Sequence, residues 1–387
     1  MDNVKSRIEN GVRIISLSGK IDSMNAPQIE AAINAEPMDG ATSTVIDAED
    51  LLYVSSAGLR VFLRMRKRDP DMKIINVSND VYDIFDITGF TEMLDIEKAY
   101  RRVSVEGCEV IGQGANGMVY RIDPETIIKV YRDPDSLPDI KRERELARRA
   151  FVLGIPTAIP YDVVKVGDGY GSVFELLNAK SFAKLITEGL DTVDHVVKMY
   201  IDLLKKIHST EVKPDDMPSM KDVALRWADA SAKHLPEAYG AKLRSLVDSV
   251  PDDLHMMHGD YHVKNVMLQD GEALLIDMDT ICHGHPVFEL ASMFNAYRGF
   301  SEVDHEVVKR FLGIDYETTC EIWDKSLRLY LGTDDEAKIA EVEKKAMLAG
   351  FMRLYRRAIR KNDSEATING FRDRLMSLID EVDSLVF

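Results

Sequence analysis

The segment His258-Gly259-Asp260-Tyr261-His262-Val263-Lys264-Asn265-Val266-Met267-Leu268, followed by Ala273-Leu274-Leu275-Ile276-Asp277-Met278-Asp279, constrains this chain more than any other. It sets down a carboxylate, an amide five residues later, and a second carboxylate at the end of an apolar strand. A hydroxyl attacking a γ-phosphate needs a neighbouring carboxylate to orient it and accept its proton, and Asp260 fits that part. The Mg²⁺ that accompanies a triphosphate takes oxygen ligands, which Asn265 on a loop and Asp277 at a strand end can supply. The combination is specific and implies phosphoryl transfer.

Composition narrows the partners. The 387 residues are 45% hydrophobic, which is too apolar for a disordered chain, and carry a net charge of −17. That acidity argues against nucleic acid, whose phosphates need a basic surface, but not against an anionic small ligand held by local donors and a metal ion. No stretch approaches the ~20 apolar residues of a membrane span. The first residues lack the apolar core of a signal peptide. Cys108, Cys282 and Cys320 are too far apart for a disulfide framework or a cysteine-rich zinc site. A cytoplasmic protein with no membrane partner is expected.

Residues 1–102 read as an α/β unit. Strands at 12–17, 44–46 and 72–77 alternate with helices at 27–35, 56–68 and around Val81, Ile84, Phe85 and Ile87. Asn79 or Asp80 is expected to cap the third helix and Gly89 to end it. Such alternation favours a mainly parallel sheet faced by helices. Residues 103–178 change pattern, with short strands at 109–111, 118–121 and 126–130, a charged helix at 139–153, and a hairpin through Gly167-Asp168-Gly169 feeding a strand at 170–177. Residues 179–387 are largely helical. A small β lobe followed by a helical lobe makes 103–387 a bilobal α+β unit, and no Pro- or Ser-rich linker sets it apart from the first.

Phosphate handling extends upstream. Gly112, Gly114 and Gly117 lie in Ile111-Gly112-Gln113-Gly114-Ala115-Asn116-Gly117-Met118-Val119, where glycines let backbone N–H groups approach phosphate oxygens. The loop joins two strands, so it does not suit a dinucleotide fold, and a plain glycine-rich hairpin is the alternative. Lys129 sits in the apolar run Ile127-Ile128-Lys129-Val130, where an unpaired ammonium is costly. It either faces water from an edge strand or contacts phosphates while a carboxylate holds it. Glu143 is the favoured partner, because the helical period groups it with Ala147, Ala150, Phe151 and Gly154. Glu145 falls with Arg148 and Arg149 on a solvent face, and both glutamates belonging to a charged outer face is the remaining alternative. Asp279 reads as structural rather than as a further metal ligand, and His258 as shaping the loop rather than catalysing.

On HGDYHVKN, LLIDMD and the glycine loop with Lys129, residues 104–387 resemble the aminoglycoside phosphotransferase and choline kinase group of the protein-kinase-like fold. The resemblance implies ATP and Mg²⁺ as cofactors and Asp260 as catalytic base. It implies Asn265 and Asp277 as Mg²⁺ ligands, and Lys129 on the α/β phosphates with Glu143 orienting it. The strand ending Val173-Phe174-Glu175-Leu176-Leu177 would be the hinge, with the backbones of Glu175 and Leu177 binding adenine. Where the family often has Asp-Leu-Ala after the metal site, this chain has Glu289-Leu290-Ala291.

Residues 1–102 resemble the STAS domain of anti-sigma factor antagonists, on Gly19-Lys20-Ile21-Asp22-Ser23, Val45-Ile46-Asp47 and Tyr53-Val54-Ser55-Ser56-Ala57-Gly58-Leu59. That resemblance implies Ser56 as a phosphoacceptor, favoured electrostatically at a helix N-terminus, and an anti-sigma factor as partner. The alternative is that Ser55 or Ser56 only caps the helix.

The leading expectation is a kinase transferring the γ-phosphate to a hydroxyl of a small molecule under STAS regulation. The alternatives are a signalling kinase that phosphorylates Ser56, and a nucleotide-sensing scaffold without turnover. The acceptor has no simple code. Asp304, Glu306, Trp323, Tyr330 and Tyr355 could meet a cation or belong to ordinary core and surface. Arg353, Arg356, Arg357 and Arg360 read as a solvated helix face, with an anionic substrate site as the less favoured reading.

Overall fold

The structure, a computed structural model, describes residues 3–35, 40–114, 117–302 and 304–387. They pack as two units, residues 1–104 with 164–167 and residues 105–163 with 168–387.

In the first unit, β1 (Val4–Glu9), β2 (Val12–Ile21), β3 (Ser43–Val54), β4 (Lys73–Val77) and β5 (Asp95–Lys98) form one sheet in that spatial order. The β1–β2 pair is antiparallel and the others are parallel. Parallel neighbours need crossovers, which α1 (Ala26–Ala35), α2 (Ser56–Arg68) and α3 (Asn79–Ile87) provide. Ile15, Ile46, Phe62, Ile74 and Phe85 are fully buried between sheet and helices. Gly58 lets α2 sit hard on the sheet, since a Cβ there would lie 2.8 Å from Ile21 Cγ2. The α/β order follows the sequence pattern, with three differences. β1 and β5 join the sheet although their sequences show no apolar period, and β3 runs on to Val54. The N-cap of α3 is Ser78, not Asn79 or Asp80, and its side chain makes no capping bond.

A second sheet is formed by β6 (Glu109–Gln113), β7 (Gly117–Arg121), β8 (Thr126–Tyr131), β9 (Asp162–Val166) and β10 (Gly169–Glu175) in the order β6-β7-β8-β10-β9, with α4 (Leu137–Val152) after β8. β10 stops at Glu175, so Leu177 lies past the strand it was expected to end. There follow β11 (Lys180–Ser181), α5 (Phe182–Thr187), α6 (Val193–His208), α7 (Met220–Ala232), α8 (Glu237–Asp248) and β12 (Met256–Met257). β13 (Val266–Gln269) and β14 (Glu272–Leu275) form a hairpin, turned by Asp270 and Gly271 at φ of 50° and 84°. β15 (Cys282–His283), α9 (Val287–Tyr297), α10 (Glu306–Leu312), α11 (Tyr316–Leu331), α12 (Glu336–Lys361) and α13 (Glu365–Glu381) complete the helical lobe. Every residue of α9 is buried, as expected for a helix apolar on all sides. Its Phe294 makes the core together with Trp323, Tyr200, Tyr261 and Phe351. The three cysteines are unpaired, and among the described residues no helix is long and apolar enough to cross a membrane.

Candidate active site

β8 presents Lys129 at the centre of an ion-pair set. Its Nζ lies 2.9 Å from Glu143 Oε1 of α4 and 2.7 Å from Asp277 Oδ1. Glu143 is only 4% exposed, and its second oxygen accepts from the Tyr131 hydroxyl at 2.5 Å. Burial works against the Lys129 ammonium, but Glu143 and Asp277 outweigh it and raise its pKa. Burial and then the Glu143 carboxylate also push the Tyr131 phenol up. Glu145 instead accepts from Arg148 and Arg149 at the surface. The buried stripe of α4 is Ile140, Glu143, Leu146, Ala147 and Ala150. Phe151, grouped with Glu143 by the helical period, is 54% exposed, and Gly154 lies past the helix in the left-handed region.

The segment between β12 and β13 holds Asp260. Gly259 before it has φ of 83°, and a Cβ there would lie 2.4 Å from Thr280 O, so only glycine fits. Thr280 Oγ1 donates to His258 O at 2.8 Å. The His258 ring is within bonding distance of the Asp260 N–H (Nδ1, 3.3 Å) and of Ile276 O (Nε2, 3.2 Å), which the tautomer protonated at Nε2 satisfies. Glu289 of α9 is fully buried and accepts the backbone N–H groups of His258 at 2.6 Å and Gly259 at 3.0 Å. Asp260 itself lies 3.5 Å from His262 Nε2 and 3.8 Å from Arg353 Nη2. Burial opposes its charge, but His262, Arg353 and His258 hold its pKa below the ordinary carboxylate value.

Asn265 is 7% exposed, and its Nδ2 donates to Asp260 O at 3.0 Å. Its own carbonyl accepts from Ile276 N–H at 3.0 Å, which ties this loop to the residue before Asp277. Asp277 adopts a left-handed φ of 63°, a strained state for a non-glycine residue and one that often marks a functional position. Asp279 is pushed up to about 7, by burial first and then by Asp277, with Lys129 opposing. Among the described residues no three His, Cys, Asp or Glu side chains form a ready metal cage. The amide of Asn265 and the carboxylate of Asp277 are hard oxygen donors, which suit Mg²⁺ completed by water and phosphate.

The remaining sequence candidates are spread around this centre. Gly117 is forced by packing, because a Cβ would lie 2.1 Å from Val130 O. Gly112 would make only ordinary contact with Val119, and Gly114 would meet nothing within 4 Å. Ala115 and Asn116 lie outside the described residues. Glu175 is exposed at the end of β10 and Leu177 is half-buried beyond it. In the first unit Ser56 is exposed at the start of α2, while Ser55 caps that helix by accepting from Gly58 N–H at 3.4 Å. Trp323 and Tyr355 are buried core residues, and the Tyr330 hydroxyl lies 2.7 Å from His208 Nδ1. Asp304 accepts from Arg310 at 3.0 Å.

Two further residues at the site had no local signal. Glu289 stands in an apolar helix, and the spacing of Arg353 with its neighbouring arginines reads as a solvated face. Arg353 is half-buried beside Asp260 and donates to Ser292 Oγ at 3.0 Å, which corrects that reading.

Residues 107–322 match the phosphotransferase enzyme family, and residues 3–104 match the STAS domain. Over 91 residues the chain is 33% identical to BtrV of Bordetella bronchiseptica, named as an anti-sigma factor antagonist, which is 22% of this chain and 78% of that protein. Over 100 residues it is 21% identical to an anti-sigma-B factor antagonist of Staphylococcus aureus, 25% of this chain and 93% of that one. Aminoglycoside phosphotransferase APH(4)-Ia matches in fold with a TM-score of 0.50 at 12% identity, over 72% of this chain and 94% of its own. A thermostable mutant of that enzyme, in ternary complex with ADP and hygromycin B, gives the same score and identity over 70% and 93%. The chain therefore belongs to the phosphotransferase enzyme family and carries an N-terminal STAS domain of the anti-sigma factor antagonist type.

Proposed function

We propose that the chain is an ATP- and Mg²⁺-dependent kinase that transfers the γ-phosphoryl group to a hydroxyl of a small molecule in the cytoplasm, while its STAS domain binds a protein partner of the anti-sigma factor type. One observation carries this reading. Lys129, held at 2.9 Å by Glu143, reaches 2.7 Å from Asp277, whose neighbour Ile276 is bonded to the loop carrying Asp260 and Asn265.

In this reading Asp260, charged at neutral pH, orients the acceptor hydroxyl and takes its proton as the oxygen bonds to the γ-phosphorus. The bond from that phosphorus to the β–γ bridging oxygen breaks, and ADP leaves with the electron pair. Lys129 contacts the α/β phosphates, oriented by Glu143. Gly112 and Gly114, which the chain's own packing does not require, keep backbone N–H groups open to phosphate oxygens. The backbones of Glu175 and Leu177 hold the adenine. Asn265 and Asp277 would hold Mg²⁺, which when bound neutralises charge on the β- and γ-phosphate oxygens. Asp260→Asn is expected to lower kcat by about 10²–10⁴-fold with ATP across an acceptor panel. Unchanged transfer to every acceptor would defeat the assignment.

A second reading, a signalling kinase acting on Ser56, is favoured by that residue's exposure while Ser55 supplies the cap. Phosphate at this helix start is electrostatically acceptable. Incubation with labelled ATP followed by phosphoserine mapping decides it, and absence of label at Ser55 and Ser56 removes it.

A further inference from the structure

The arginine stripe of α12 points to the acceptor. Arg353 lies 3.8 Å from Asp260, and its guanidinium stands 5.4 Å from the ring centre of Trp227 on α7. Arg356 stands over the same ring at 5.7 Å. Next to it is a cavity of about 300 Å³ lined by Ala230, Lys233, His234, Arg356, Ile359 and Arg360, with no carboxylate in the lining. Arg357 has its own partner, Asp363 at 3.6 Å. Among the described residues none of the ion pairs involves Arg356, Arg360 or Lys233, and the charges acting on Arg356 are those of Arg360 and Arg353.

Burial first, and then those two arginines, lower the Arg356 pKa. Like charges gathered around a concave space with no carboxylate in its lining make that space favourable to an anion, although the chain carries a net charge of −17. Guanidinium forks match phosphate and carboxylate oxygens two at a time. Seven residues separate Arg353 from Arg360, about 10 Å along the helix, so the basic track runs from the candidate base to the cavity.

We propose that the acceptor is a small anionic alcohol, a polyol bearing a phosphate or carboxylate group, which the Arg356–Arg360–Lys233 cavity holds while Arg353 flanks the hydroxyl at Asp260. This rests on the reading of Asp260 as the base of a small-molecule kinase. A polycationic aminoglycoside would be repelled by the same track.

The test uses the full chain in two measurements. Calorimetric titration with inorganic phosphate is expected to show binding that Arg360→Glu and Arg356→Gln each weaken by about tenfold or more. Arg372→Gln, whose arginine pairs with Asp373, leaves that binding as it is. In ATP-dependent transfer to a panel of neutral polyols, aminoglycosides, sugar phosphates and sugar acids, phosphate competes with the acceptor and not with ATP. Arg360→Glu then raises the KM of the anionic acceptors, and the sugar-phosphate and sugar-acid arms identify the anion. Arg360 is exposed near the end of α12, so this variant reports even if Arg356→Gln fails to fold. Wild-type protein that binds no phosphate, or turns over an aminoglycoside or neutral polyol with no effect of Arg360→Glu, overturns the proposal and leaves the kinase reading intact. Phosphate binding that Arg360→Glu removes, with no transfer to any compound, overturns the kinase reading and the acceptor assignment together.

Discussion

Lys129 shows what one buried charge demands of its neighbours. With Glu143 only 4% exposed, loss of Lys129 would leave a buried carboxylate with only the Tyr131 hydroxyl, while loss of Glu143 would leave Lys129 to Asp277 alone. Glu143→Gln is expected to lower kcat/KM for ATP-dependent transfer by about 10–100-fold. Glu145→Gln breaks only surface pairs with Arg148 and Arg149 and should stay within about twofold. Equal losses in steady-state assays would mean that Glu143 has no special part in holding Lys129. The pairing of Glu143 rather than Glu145 with Lys129 was legible in part, since Ala147 and Ala150 share its buried stripe while Phe151 and Gly154 do not, and the nearness of Asp260, Asn265 and Asp277 was legible because they lie within one short stretch. Glu289 and Arg353 were not legible as parts of the site. Each reaches the Asp260 loop from a distant helix, and only tertiary packing separates Arg353 from an ordinary exposed arginine.

Glu289 also makes a prediction in pH. Folding lowers its pKa below the ordinary 4.5, since burial, which opposes its charge, is outweighed by His208, His258 and the Gly259 N–H. The native state then binds fewer protons than the unfolded chain, so this stability is present above pH 4.5 and lost as the pH falls below it. Glu289→Gln is expected to destabilise the second unit by about 3–5 kcal/mol at neutral pH, because it removes a buried charge from its partners. It should also flatten the acid limb of melting temperature against pH. Parallel limbs in wild type and variant would show that other carboxylates set the acid sensitivity.

At the scale of elements, the β6–β7 turn separates glycine as packing from glycine as ligand access. Gly117 pairs with Tyr131 across β7 and β8, and a Cβ at 2.1 Å from Val130 O would force those strands apart. Gly117→Ala should therefore cost stability and nucleotide affinity together, by roughly 1–3 kcal/mol of stability. Gly114→Ala should leave melting within about 0.5 kcal/mol, yet raise the KM for ATP if the loop backbone approaches phosphate. An unchanged KM would reduce Gly114 to a plain turn residue. Element type was readable where burial imposed a period, as in α2 and β4. It was not readable in β1, whose burial pattern is mostly exposed, so that its place in the sheet rests on backbone pairing with β2 and not on side chains.

Among the described residues, most of the buried apolar side chains gather into two separate clusters. One is centred on Phe62, Phe85 and Ile74, and the other on Tyr200, Phe294 and Trp323. A domain with its own core is expected to unfold as its own cooperative unit, so a single melting temperature would not describe this chain. Scanning calorimetry should resolve two transitions. Phe62→Ala, which empties a fully buried site, should lower one of them by about 3–5 kcal/mol of unit stability. If the proposed nucleotide site is right, ADP with Mg²⁺ at 100 times its dissociation constant should raise the other by about 2.7 kcal/mol, through binding to the folded second unit alone. The two perturbations act through different cores and should move different transitions. A single transition that both perturbations shift would mean that the units melt as one, and nucleotide occupancy would then stabilise the STAS domain as well.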